Sequence, residues 1–374
     1  MPWKEATPMS LRAEFVRLAE RCCFSLLCRR FGISRKTGYK WRARYLEGGE
    51  EGLVNRSRRP FRSPRRTRTG TERAVLVIRD HHPAWGGRKL RRRLIDKGFS
   101  EVPAPSTITE ILRRNDRLRP EEAAKHAPFR RFERSNSNEL WQMDFKGEFR
   151  IGHQTCYPLT VLDDYSRFAL LIEACSNMKT ETVQSRLIGA FERYGLPLGI
   201  LTDNGGPWGP ERYTKLTVWM IRLGIAIART RISHPQTNGK DERFNRTLKT
   251  EVIGTRQFLD MVDCQHAFTL WRIVYNENRP HESLGLETPA SRYTISPRSY
   301  PSVLPPLEYG PLDAVRKVQK GGEIFFHNRE WHVGHAFGGY PVGVRPTTID
   351  GIFEVYFCHQ KVAIIDLHQP KAEV

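Results

Sequence analysis

The sequence has few cysteines, and their spacing does not match a zinc site or a disulfide-stabilised domain. Seven cysteines occur in 374 residues, and no two of them form a Cys-x-x-Cys pair. This excludes a zinc knuckle and argues against a disulfide framework. Apolar runs of membrane-spanning length are absent too, as is a secretion signal. We therefore expect a soluble protein of a reducing, cytoplasmic compartment, without a membrane partner.

Positive charge is concentrated near the N-terminus. The formal net charge is +20. Residues 1–134 contain 34 Lys and Arg residues against 15 Asp and Glu, whereas the rest of the chain contains 27 against 26. Ribosomal and chromatin proteins are more often basic throughout. The asymmetry predicts an N-terminal arm that binds a polyanion, ahead of a body with a different task.

Residues 1–54 have the pattern of a helix-turn-helix DNA-binding domain. Helices are predicted at about 10–21, 25–31 and 35–45. Gly32 and Ile33 form the turn before the third helix, and Ser34 is placed to cap it. A basic helix after such a turn suits a DNA major groove, although a helical hairpin with a basic surface shares the pattern. The candidate DNA contacts are Arg35, Lys36, Lys40 and Arg42.

An arginine-rich linker, residues 55–70, follows this domain. It contains seven arginines, two prolines and one large apolar residue. Such a composition cannot form a core, so we expect the linker to be disordered in the free protein. Its arginines, among them Arg58, Arg59 and Arg62, are expected to follow phosphates or enter a minor groove. A solubilising linker is the alternative.

A second helical unit is predicted for residues 71–118, and a polar connector for residues 119–137. Gly86 and Gly87 separate its first two helices. Thr107 and Glu110 have the spacing of a capping box at the start of a third. A second helix-turn-helix-like domain is therefore expected.

From residue 138 to about residue 300 the pattern is that of an α/β domain. Strands are predicted at 140–152, 157–162, 168–174, 199–202 and 225–229, and helices at 180–194, 210–223, 240–252 and 259–276. Three consecutive strands followed by alternating helices and strands indicate a mixed sheet covered by helices. Residues 308–374 contain six short strand candidates between turns and predict a small all-β barrel or sandwich.

Three acidic residues on separate elements of the α/β domain are candidates for a metal site. Asp144 lies within the first predicted strand, where a carboxylate is costly. Asp203 ends a short strand, and loops beyond strand ends are where such sheets hold ligands. Glu242 comes from a later helix. Carboxylates without imidazole or thiolate favour Mg²⁺ or Mn²⁺, and two such ions can support displacement at phosphorus.

Three segments around these acids resemble the signatures of DDE transposases with a retroviral-integrase-type core. They are residues 141–147 (WQMDFKG), 202–205 (TDNG) and 234–243 (HPQTNGKDER). Residues 275–276 (YN), 279–281 (RPH) and 283–285 (SLG) are similar to the segment after the core of bacterial insertion-sequence transposases. The resemblance spans about residues 10–300. Integrases have an N-terminal His/Cys zinc domain that this chain lacks.

The resemblance implies a ribonuclease H-like core with Asp144, Asp203 and Glu242 as the triad that binds two metal ions. It implies binding of terminal inverted repeats, metal-dependent 3′-end cleavage and strand transfer into target DNA in the bacterial nucleoid. Two element ends require a dimer or larger assembly on DNA. The alternatives are a DNA-binding regulator with a catalytically silent core and a ribonuclease H-like nuclease.

Several polar residues near the triad are open to more than one interpretation. Asp241 is a rival to Glu242, and Asp163 and Asp164 are interpreted as turn residues. The helix after Gly239 has further candidate DNA contacts, which a solvated helix face would explain equally well. They are Lys240, Arg243, Arg246 and Lys249, together with Asn245.

Overall fold

The computed structural model describes residues 7–56, 66–118, 134–203, 205, 208, 213–229 and 239–369. The chain forms two compact units, Met1–Arg66 and Thr67–Val374. Arg58, Arg59 and Arg62 of the predicted linker lie outside the described residues. Among the helices that are described, none is long and apolar enough to cross a membrane.

The first unit consists of helices α1 (Pro8–Leu18), α2 (Phe24–Arg30) and α3 (Arg35–Gly48), followed by a 3₁₀ turn. As predicted, Ser34 caps α3, because its hydroxyl accepts a hydrogen bond from the backbone N–H of Thr37 at 3.1 Å. Buried Phe15 and Trp41 lie in the small core. A Cβ atom at Gly38 would approach Phe15 and Cys28 to 2.9 Å, so the helices pack closely only with glycine at this position.

The second unit begins with helices α4 (Thr69–His81), α5 (Gly87–Asp96) and α6 (Pro105–Arg114), which pack around a core containing Trp85 and Leu90. The predicted capping box is wrong. Helix α6 starts at Pro105, whose fixed φ suits the first helical position, so Thr107 already lies inside the helix. The three helices contact a later segment: Arg93 donates to Asn278 at 2.5 Å.

A six-stranded mixed sheet comes next in the chain. Its strands are β1 (Trp141–Phe145), β2 (Phe149–Ile151), β3 (Gln154–Asp163), β4 (Ala169–Cys175), β5 (Gly199–Thr202) and β6 (Ala226–Arg229). Antiparallel β3 lies between β1 and β4, β1 pairs in parallel with β5, and β5 pairs in parallel with β6. The single strand predicted over 140–152 is instead two strands. Gly147, with φ of +87°, separates them, and β2 pairs with β3.

Helices cover both faces of this sheet. They are α7 (Thr180–Tyr194), α8 (Lys215–Arg222), α9 (Gly239–Leu248) and α10 (Met261–Ile273). Helices α7 and α8 bury one face around Trp141 and Phe191. Helices α9 and α10 bury the other around Phe244 and Phe268. The predicted α/β arrangement is confirmed, and α9 ends in a π-helical turn, Lys249–Ile253, where the predicted helix continued.

The C-terminal region is β-rich, as predicted, but a barrel is not confirmed. Its strands are β7 (Ala314–Lys317), β8 (Glu323–Phe326), β9 (Arg329–His332), β10 (Pro341–Pro346), β11 (Ile352–Phe357) and β12 (Gln360–Asp366). Four of them form an open sheet in the order β12-β11-β10-β7, and β8 pairs with β9. Their core also contains Tyr213, Val218 and Ile221 from the preceding domain. The tail is therefore packed onto α8.

This shared core generates a stability prediction. Phe337 is 0% exposed and its ring lies 5.0 Å from that of Tyr213. We expect Phe337→Ala to lower the free energy of unfolding, measured by urea denaturation, by about 3–5 kcal/mol. It should also accelerate amide hydrogen exchange in α8, because the two elements share one core. The control is the same substitution at Phe325, which is 58% exposed. Faster amide hydrogen exchange confined to the C-terminal strands in Phe337→Ala would contradict the prediction.

Candidate active site

Asp144 and Asp203 lie side by side at the ends of two neighbouring parallel strands. Gln142 of β1 is in register with Leu201 of β5. Extending this register by two residues places Asp144 beside Asp203. Because β1 and β5 run in parallel, both carboxylates lie at the carboxyl edge of the sheet, where such folds bind ligands.

The surroundings of Asp144 disfavour its charged form. Burial, and then the negative charge of Asp203, raise the pKa of Asp144 to about 6. The amide Nδ2 of Asn245, on α9, donates a hydrogen bond to its Oδ2 at 2.9 Å and opposes this effect. The protein thus holds two repelling carboxylates close together at the edge of the sheet. A cation between them would relieve the repulsion.

Asp203 is held by the backbone that follows it. Its Oδ1 accepts a hydrogen bond from the N–H of Gly205 at 3.0 Å, the pattern of an Asx turn. A Cβ atom at position 205 would lie 3.3 Å from Oδ2 of the same carboxylate. Glycine therefore lets the backbone turn closely around Asp203.

Helix α9 presents two neighbouring acids differently. Asp241 is 4% exposed, and burial, followed by the charges of Asp144 and Asp164, raises its pKa well above the ordinary range. Glu242 is exposed. Consecutive helical residues point about 100° apart, so only one of the two acids can face the sheet squarely. The structure turns Asp241 inward and leaves Glu242 at the rim.

The donor set suits a hard divalent cation. Asp144 and Asp203 offer only carboxylate oxygens, the ligands that Mg²⁺ and Mn²⁺ prefer. Asp241 Oδ1 and Asn245 Oδ1 are buried and have no hydrogen-bond partner among the described residues. Within the described ranges, no three His, Cys, Asp or Glu side chains are close enough to hold a metal. The structure thus brings the two aspartates together, and Glu242 does not join them.

Two buried aspartates lie at the end of β3. The interpretation as a turn residue holds for Asp164, whereas Asp163 is the last residue of the strand. Asp163 accepts hydrogen bonds from the N–H of Asn138 at 2.8 Å and from the hydroxyl of Ser166 at 2.6 Å. Asp164 accepts one from Gln142 Nε2 at 2.6 Å and forms an ion pair with Lys240. Both are tied into the fold beside the candidate site.

The candidate DNA contacts divide into exposed and partly buried side chains. Lys240 differs from the others, because its side chain is 16% exposed and its ammonium contacts Asp164. The remaining candidates in the described residues are exposed: Arg35, Lys36, Lys40, Arg42, Arg243, Arg246 and Lys249. Lys40 also lies over the ring of Trp41, 4.5 Å from its centroid.

Sequence reasoning missed the polar residues that support the acids. Gln142 was not singled out, although a buried amide within a strand signals a hydrogen-bonded role. Asn245 was considered only as a DNA contact, although it is four residues from Asp241 and therefore on the same face of the helix. Arg279 and His281, in the segment that follows the core, are both buried, and Arg279 Nε donates to Glu251 at 3.1 Å.

Protein-family models match most of the described domains. Residues 134–235 and 223–289 match models described as "Integrase core domain". Residues 313–373 match "IS481 family transposase, C-terminal domain", and residues 9–54 and 37–112 match "Homeodomain-like domain" models. The resemblance to insertion-sequence transposases with an integrase-type core is confirmed.

Several curated proteins are similar to the chain. An uncharacterized 31.7 kDa protein of insertion element IS407 from Burkholderia multivorans is 27% identical over 41% of this chain and 54% of its own length. A 39.2 kDa protein of IS476 from Xanthomonas euvesicatoria is 29% identical over 42% and 44%. The chain thus spans about half the length of these relatives. Transposase InsD of IS2 from Escherichia coli is 28% identical over 59% and 78%.

Solved integrase structures are distant neighbours. A magnesium complex of the HTLV-2 integrase catalytic core is 17% identical and covers 42% of this chain and 97% of its own, with a TM-score of 0.33. A simian T-cell lymphotropic virus intasome chain, also 17% identical, covers 80% of this chain and 99% of its own, with a TM-score of 0.38. Such scores are too low to support an argument.

Because the pKa of Asp144 is raised, replacing Asp144 by a neutral residue should stabilise the protein by an amount that depends on pH. An acid whose pKa rises on folding stabilises the fold below about pH 4 and loses that contribution as the pH rises through 6. Without metal, Asp144→Asn should therefore be more stable than the wild type at pH 8 by roughly 3 kcal/mol, and nearly equal to it in stability at pH 4. Urea unfolding in EDTA measures this.

Asp350→Asn, at an exposed position, is the control for a general effect of lost negative charge. A difference between Asp144→Asn and the wild type that is the same at both pH values would contradict the prediction. Such a result would mean that the asparagine acts through packing and that the ionised carboxylate carries no penalty.

Proposed function

We propose that this protein is a DNA transposase that cleaves element ends at the 3′ strand and joins them to target DNA. The observation that carries the proposal is the pair Asp144 and Asp203 on adjacent parallel strands, within the region that matches integrase core models. The similarity to transposase InsD supports the same reaction class. The third acid in this proposal is Glu242.

Asp144, Asp203 and Glu242 would hold the divalent ions. Bound Mg²⁺ or Mn²⁺, with two ions as our hypothesis, would activate the attacking oxygen and neutralise charge on the leaving oxygen. The chain's own contribution is positional. Asn245 fixes the carboxylate of Asp144 through its amide, and the Gly205 N–H fixes Asp203. Neither donor changes charge during the reaction.

The exposed cations of α9 would hold the DNA near these carboxylates. Arg243, Arg246 and Lys249 are on the solvent-facing side of the helix that bears Glu242. Their charges would contact backbone phosphates without reading sequence. The N-terminal helical domains would instead recognise the terminal inverted repeats, and Arg58, Arg59 and Arg62 would follow the adjacent phosphates. Two ends joined in one event would require at least a dimer.

The exposed position of Glu242 favours one alternative, a DNA-binding regulator whose core does not cut DNA. In that case specific DNA binding would occur without metal-dependent nicking. A ribonuclease H-like nuclease would cleave without joining and without preference for a repeat sequence. The products formed from end-containing DNA separate these functions.

The proposal predicts strand transfer that depends on all three acids. With Mg²⁺ or Mn²⁺ and DNA carrying the flanking inverted repeat, we expect the wild type to form joined product. Asp203→Asn and Glu242→Gln should each reduce it by at least about 100-fold, because each removes a charge that binds metal. Glu181→Gln is the matched control, an exposed glutamate in the first turn of α7. Gel separation of joined and nicked products measures the outcome.

Asp241→Asn decides between the two acids of α9. If Glu242 is the ligand, Asp241→Asn should keep most of the activity, because burial and the charges of Asp144 and Asp164 raise the pKa of the inward carboxyl group and so favour its neutral form. Activity lost in Asp241→Asn and kept in Glu242→Gln would assign the role to Asp241. No product from the wild type with either metal, despite specific DNA binding, would favour the regulator.

The α3 lysines give a separate prediction for DNA binding. Replacing exposed Lys36 and Lys40 by glutamine should weaken binding to any duplex and flatten its dependence on log salt by roughly one unit per lysine. Fluorescence anisotropy at several salt concentrations measures both effects. Glu14→Gln, exposed on α1, should leave the slope unchanged. An unaltered slope in the double lysine variant would place the DNA elsewhere.

A further inference from the structure

Asp164 is a buried carboxylate with a cationic partner on another element. Its side chain is 1% exposed, and that of Lys240 is 16% exposed. Oδ1 of Asp164 contacts the Lys240 ammonium and accepts a hydrogen bond from Gln142 Nε2 at 2.6 Å, and Oδ2 accepts one from the N–H of Arg134 at 2.9 Å. A carboxylate this buried needs such partners, because an unpaired charge there is strongly destabilising.

The pair joins the first turn of α9 to the turn after β3, and Gln142 connects Asp164 to β1, the strand that contains Asp144. Lys240 is the second residue of α9, and Asp164 directly follows β3. Gln142, which binds the same carboxylate oxygen, is two residues before Asp144 on β1. Residues two apart in a strand point to the same face, so Gln142 and Asp144 both face α9.

Helix α9 is held at both margins of its buried face. At about 100° per residue, Lys240 and Asn245 project about 140° apart, and buried Asp241, Phe244 and Leu248 lie between them. Lys240 contacts Asp164 at one margin, and Asn245 donates to Asp144 at the other. Glu242 projects about 60° beyond Asn245. The roll of the helix about its axis therefore decides how far Glu242 lies from Asp144.

We propose that the Asp164–Lys240 ion pair is a positioning device that sets the roll of α9 and thereby the place of its metal-binding acid. Asp164 and Lys240 act through Glu242 and touch neither metal nor DNA. The inference rests on the proposed function, because it assumes that Glu242 completes the metal site. It gives Lys240 a role different from that of exposed Arg243, Arg246 and Lys249.

The test compares Lys240→Met, Asp164→Asn and the double variant by calorimetric Mn²⁺ binding in the absence of DNA. Each single variant should bind Mn²⁺ about tenfold more weakly, because the helix loses one anchor. The double variant should be no weaker than either single variant, because both changes break one interaction. Affinity for duplex DNA in EDTA should stay within twofold of the wild type. Lys215→Met, exposed at the start of α8, is the matched control.

Several results would overturn the inference. A loss of DNA affinity in Lys240→Met alone would make Lys240 a DNA contact. A lower melting temperature with unchanged Mn²⁺ affinity would make the pair merely structural, and additive losses in the double variant would make the two residues independent. If Lys240→Met does not fold, Lys240→Arg keeps the charge and should bind Mn²⁺ within threefold of the wild type; a tenfold loss would contradict the proposal.

The same measurements separate this inference from the proposed function. If the wild type shows no strand transfer but the pair variants bind Mn²⁺ more weakly than the wild type does, the positioning role is retained and transposition is rejected. If the wild type performs strand transfer but every pair variant binds Mn²⁺ as tightly as the wild type, transposition is supported and the positioning role is rejected.

Discussion

Repulsion between Asp144 and Asp203 is the constraint on which the arrangement of the central domain depends. The parallel pairing of β1 with β5 brings the two carboxylates together, and neither strand can shift without breaking the sheet. The cost appears in the pKa of Asp144, which rises to about 6 through burial and the neighbouring charge. A bound cation would stabilise this arrangement, because both carboxylates would be attracted to the cation. The electrostatic repulsion and the proposed metal binding thus have the same origin, the pairing of β1 with β5 that brings the two carboxylates together.

Helix α9 has to satisfy that pair and the hydrophobic core together. Phe244 and Leu248 tie one side of it to the core, and Asn245 contacts Asp144 from the same side. Asp241 lies on the same buried side of the helix, where desolvation and the charges of two neighbouring acids favour its neutral form. Glu242 remains at the rim, where it is exposed to solvent. The two acids project about 100° apart, so the roll of α9 about its axis determines which of them faces Asp144.

Local pattern predicted some elements to the residue. Helix α7 and strand β5 have the bounds that periodicity indicated, because Val183, Leu187 and Phe191 repeat at helical spacing and Gly195, with φ of +74°, ends the helix. Patterns that depend on distant contacts were less informative. A barrel needs its first and last strands to pair, and short alternating strands do not encode closure. The assignment of Asp144 and Asp203 came from resemblance to known motifs, and the inward turn of Asp241 depends on packing that one sequence does not reveal.

The C-terminal sheet packs against α8, the helix that follows Asp203 in the chain. Tyr213, Val218 and Ile221, around and within α8, are buried in the same core as the C-terminal strands. Gln360 also accepts a hydrogen bond from the N–H of Ile227 at 3.4 Å, on edge strand β6. An uncovered edge would be open to pairing with another chain, so this contact protects the sheet. Helix α8 also contributes Leu216 and Met220 to the core of the central domain. It therefore connects the core of the central domain to the core of the C-terminal strands.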